Sequence, residues 1–79
     1  MWEEIAEKLN DDIIIGIPTK DIVYYTKLND DRLKNKMLKM SKEMLERSEK
    51  ESPELIFCRD IFVYSRENKK ISVSADYKL

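Results

Sequence analysis

The sequence predicts an antiparallel α+β domain: a short N-terminal helix, then a ββαββ order, with four to five strands in one sheet and one long helix packed across a sheet face. Three observations lead there. Two pairs of apolar, β-branched and aromatic runs flank one long stretch of helical periodicity, an order that hairpins satisfy and alternating βαβ winding does not. The chain has 79 residues, which leaves room for a single small domain, 1–79, with a thin core. Charged residues make up 39% and hydrophobic residues 42%, a balance that suits a folded globular domain and excludes collagen-like and disordered classes.

The first element spans residues 1–10. Trp2, Ile5, Ala6 and Leu9 recur at i, i+3, i+4 and i+7, with Glu3 and Glu4 at the positive end of the helix dipole. Two turns do not hold alone, so this helix must dock its apolar stripe, and Asn10-Asp11-Asp12 ends it. A β-hairpin follows over 12–27. Ile13-Ile14-Ile15-Gly16-Ile17 reads as a strand buried on both faces, Pro18 to Asp21 as a turn, and Ile22-Val23-Tyr24-Tyr25-Thr26 as a second strand.

The long helix covers 30–51, with N-cap candidates in Asn29-Asp30-Asp31 and a stop at Ser52-Pro53. Leu33, Met37, Met40 and Met44 form one stripe, and Leu38 and Leu45 lie to one side of it, with Ser41 and Ser48 between. Lys and Glu at spacings of four mark the opposite, solvated arc. Strands return over 54–76: a short apolar run Leu55–Cys58 with the character of an extra strand, then Ile61–Ser65, a polar turn, and the alternating Ile71–Ala75. Residues 76–79 read as a polar tail.

A helix of about 20 residues is ~30 Å long, whereas strands of this length span only ~17–20 Å. The helix is therefore expected to overhang the sheet near Met44 and Leu45. There its apolar residues would meet the N-terminal helix, a second protomer or a partner.

Read as a unit, Asp12 to about Val73 resembles the C-terminal part of the uncharacterised bacterial YtpQ-like family. The segment Ile13-Ile14-Ile15-Gly16-Ile17-Pro18-Thr19-Lys20-Asp21-Ile22-Val23-Tyr24-Tyr25 is similar to that family's apolar strand, Pro-x-x-Asp turn and second apolar strand. A helix from Asp31 and a Pro-led final hairpin follow in the same order. The upstream domains of that family and the stretch Trp2–Leu9 have no counterparts in the resemblance. It implies a ββαββ fold and supplies no catalytic residues.

Composition narrows the chemistry. Histidine is absent and there is one Cys and one Gly, which removes His-based acid/base catalysis, Cys/His zinc sites and Gly-rich phosphate loops. Asp11-Asp12 and Asp30-Asp31 are adjacent carboxylates, better suited to turns and caps than to an opposed acid/base pair. No enzyme, metal, cofactor or small-molecule substrate is expected. Cys58, in an apolar run, reads as a small buried hydrophobe in a reducing compartment. The first residues lack the pattern of a secretory signal and no run is long enough to span a bilayer, so the expected location is the cytoplasm.

Function is expected to rest on binding a protein, either another chain or a second copy. Tyr24 and Tyr25 point to opposite sheet faces, and Tyr64 can join one of them. These tyrosines, with Met44, Leu45 and Arg59, are the candidate contact residues, since Tyr and Met suit interface patches. A net charge of −1 disfavours nucleic acid as the partner. Small inhibitors and adaptors, including phage proteins that block host defence, share this character. The Lys- and Ile-rich composition common in AT-rich mobile elements is compatible with such an origin.

Overall fold

A computed structural model describes residues 1–79. Helix α1 (Trp2–Leu9) ends where Asn10 turns left-handed at φ 55° and its N–H reaches the Ala6 and Glu7 carbonyls. Strands β1 (Ile13–Thr19) and β2 (Ile22–Lys27) form a hairpin around Lys20 and Asp21. Helix α2 (Asp31–Glu51) starts on Asp30, whose carboxylate accepts the Leu33 N–H at 3.1 Å. A 3₁₀ turn at Pro53–Leu55 leads to β3 (Asp60–Ser65) and β4 (Lys70–Lys78).

The four strands make one antiparallel sheet in the order β2-β1-β3-β4. The all-apolar β1 is an inner strand, as its composition requires, and Ile13, Ile14 and Ile15 are fully buried. Their burial stabilises the fold by about 1.5–3 kcal/mol per side chain. The two helices lie on opposite faces of the sheet. On one, α1 packs Ala6, Ile5 and Leu9 against Ile13, Ile15 and Tyr64; on the other, α2 packs Met37 against Ile14 and Ile61. Gly16 allows the second contact, because a Cβ there would stand 2.8 Å from the Ser41 hydroxyl, itself fully buried.

Five sequence expectations change. The N-terminal helix lies across the sheet from α2 and does not support it. The expected overhang at Met44 and Leu45 is absent: Leu45 is only 2% exposed, and the chain after α2 folds back so that the 3₁₀ turn packs against the helix. That returning segment is bonded to the end of β1, with Phe57 N–H donating to the Pro18 carbonyl and Lys20 N–H to the Leu55 carbonyl. It makes a single bridge, Thr19 to Ile56, in place of an extra strand. Pro18 is tolerated inside β1 because it falls at an irregularity in the β1–β2 register.

The supposed tail is also structural. β4 bulges after Val73 and carries on to Lys78, which places Tyr77 and Leu79 in the α2-side core. Cys58 is half-buried, and its thiol donates to the Asp60 carboxylate. No helix is long and apolar enough to cross a membrane.

Candidate functional site: the β2 edge of the sheet

The six contact residues named from the sequence do not converge. Leu45 and Tyr64 are buried, at 2% and 6% exposure, so neither offers a surface. Tyr64 is held beneath α1 with Ile13 and Ile15, because it pairs across from Ile13 on the face that α1 covers. Met44 is half-buried on α2. Arg59 forms an exposed ion pair with Glu49 of α2, a contact that contributes on the order of 0–1 kcal/mol.

Tyr24 and Tyr25 remain, and they do point to opposite faces. Tyr25 is 46% exposed on the α1 side and meets the Trp2 ring edge-on at 5.5 Å. Tyr24 lies on the α2 side, packed near Met37. Between Tyr24 and Thr26 of β2 and Leu33, Met37 and Met40 of α2 runs an open, mostly apolar groove of about 250 Å³, with Lys36 beside it.

Three residues outside the six named from the sequence complete the surface. Val23 is 45% exposed, Leu33 43% and Met40 41%. Val23 lies on the Tyr25 side by strand alternation, whereas Leu33 and Met40 flank the groove on the other side. The β2 edge is therefore flanked by exposed apolar side chains on both sides, its own Val23 and Tyr25 on one and Leu33 and Met40 of α2 on the other, and Ile22 to Thr26 carry no charge. As the end strand of the sheet, it leaves a row of backbone N–H and C=O groups unpaired. Helical periodicity did place Leu33 and Met40 on the apolar stripe. It could not say that the sheet ends beneath that stripe, which is what leaves them uncovered.

The largest depression, about 500 Å³, is polar and lies around Asn10, Asp11, Asp12 and Arg66. Its groups are engaged in holding the chain. Asp12 accepts the Arg66 N–H at 2.8 Å, and Asn29 donates to Asp11 at 2.8 Å, tying the ends of the hairpin to the β3–β4 turn. No group of three or more His, Cys, Asp or Glu side chains is arranged to hold a metal ion. Comparison with protein-family models, curated proteins and solved structures finds no match to this chain.

Proposed function

We propose that the chain is a small protein-binding module that works through the β2 edge, by accepting a strand from its partner. The observation that carries this reading is an uncharged, regular outer strand with its own Val23 and Tyr25 exposed on one face and Leu33 and Met40 of α2 exposed beside the groove on the other. Strand addition draws affinity from main-chain hydrogen bonds and specificity from side chains on alternate residues. Here the groove beside Tyr24 would take every second side chain of the incoming strand, and the Trp2–Tyr25 pair would flank the others. Aromatic and methionine side chains suit such contacts, because they bury large areas and adapt their packing.

The test uses the full chain as bait in extract of the cells that make it, beside two variants. Val23→Lys places a charge on the β2 edge and Val73→Lys places one on the opposite edge, both at positions about half exposed. The reading expects the same protein to be retained by the unmodified chain and by Val73→Lys, and lost with Val23→Lys. Identical retention by all three baits would refute it.

A further inference from the structure

From the pattern of residues along β2 we infer that the strand accepted at this edge is β2 of a second copy, so that two chains form one continuous eight-stranded sheet. This rests on the reading of β2 as the binding edge and adds its partner and register. A two-fold axis normal to the sheet keeps each face on the same side in both copies. Side chains alternate along a strand, so such an axis allows only registers in which one residue faces its own counterpart.

Centred on Tyr24, the register sets Val23 opposite Tyr25 of the other copy and Ile22 opposite Thr26, each twice. The aromatic–β-branched pairing is a favourable cross-strand combination. The same register sets Asp21, just before the strand, opposite Lys27 at its end, again twice. These are the first acidic residue on one side of the uncharged run and the first basic residue on the other, so the edge is complementary in charge to its own reverse. Moving the centre to Tyr25 sets Val23 opposite Lys27, and moving it to Val23 sets Asp21 opposite Tyr25, so neither alternative matches charge with charge.

The helices fit this arrangement. α2 packs on β1 and β2. The groove between α2 and β2 stays open on that side, so the pairing brings the two α2 helices onto the same face, one on each side of the dyad. The exposed Leu33 and Met40 then face the other copy and are covered by it.

Light scattering over a range of concentrations, on the full chain and four variants, one of them Val23→Lys, tests the inference. The unmodified chain is expected to give twice the monomer mass. Asp21→Lys and Lys27→Asp each set like charges opposite one another and should weaken the dimer ~tenfold. The double variant Asp21→Lys/Lys27→Asp should restore it. Circular dichroism melting of each variant at low concentration separates lost association from lost fold.

A monomer at every concentration would overturn self-pairing while leaving the β2 edge as a site for a different chain. A dimer weakened by Val23→Lys but not restored by the charge exchange would overturn this register and keep the edge. A dimer indifferent to every β2 variant would overturn both.

Discussion

The sheet has two outer strands, and they are built differently. β4 carries its own obstruction. From Asp60 to Phe62 is two steps along β3, while their partners Lys78 and Val73 are five steps apart on β4. The surplus residues form a bulge, held by the Ser74 hydroxyl, which accepts the N–H groups of Asp76 and Tyr77 at 3.2 and 3.3 Å. The bulge turns Tyr77 and Leu79 into the core beside α2, and Lys70 and Lys78 stand at the ends of the strand. Such bulges and lysines are how natural sheets discourage edge pairing.

At the other side, the irregularity is on the inner strand. Gly16 to Thr19 is three steps on β1 against two on β2, so β2 itself stays regular. One edge is therefore obstructed by a bulge over part of its length, and the other is left straight and uncharged in its middle, with Val23 and Tyr25 exposed on one face and Leu33 and Met40 of α2 exposed beside the other. The difference is the reason for proposing the interaction at β2, although β4 also exposes Ile71 and Val73. Those two lie on a single face and alternate with serines.

The largest effects are expected within α2. Leu45→Asp buries an unpaired carboxylate at a position 2% exposed. A chain this size has roughly 4–12 kcal/mol of stability to lose, and the variant should fail to fold by circular dichroism. Met40→Asp, on the same helix but facing the β2 groove, should leave the fold intact and remove association. Equal unfolding of both would mean that Met40 is core and the groove is not a surface.

Gly16→Ala tests what holds α2 over the β2 side of the sheet. The added methyl meets the buried Ser41 hydroxyl, and overpacking of this kind costs about 1–3 kcal/mol, measured by urea unfolding. Replacing Ser74 with Ala removes the acceptor that holds the β4 bulge, with an expected loss of ~1 kcal/mol. If the bulge then relaxes, Ser74→Ala sharpens the contrast by adding association through β4.

The smallest effect is alkaline. On the β4 side of α2, Lys34 lies 5.1 Å from the centre of the Tyr77 ring and 3.1 Å from an Asp31 oxygen. Its hydrogen bond to Tyr77, and then that to Asp31, raise its pKa above the ordinary 10.5. A raised folded-state value means that the stabilisation is fully present below 10.5 and is lost as pH climbs through the folded-state pKa. The Lys34→Met variant should remove that part of the alkaline loss in a pH series of melts.

Much of this architecture was legible in the sequence, and what escaped has specific causes. Apolar runs and the Asp30 cap located both α-helices and all four strands of the sheet, since period and capping are local signals. Tyr77 and Leu79 escaped because a bulge resets the alternation that would have aimed them. Leu45 was misplaced because a comparison of helix and strand lengths takes no account of the connecting segment returning beneath the helix. The candidate site was half legible: Tyr24 and Tyr25 stood out by composition, whereas Val23, Leu33 and Met40 matter only because β2 ends the sheet. Strand order is a long-range property, and no local pattern in β2 announces which of its sides has a neighbour.

Amide hydrogen exchange, read strand by strand at a low and a high protein concentration, tests the contrast between the edges most directly. The outward-facing amides of β2 are expected to slow markedly at high concentration while those of β4 keep their rates. Slowing confined to β4, or none in β2 while the light-scattering mass doubles, would contradict it.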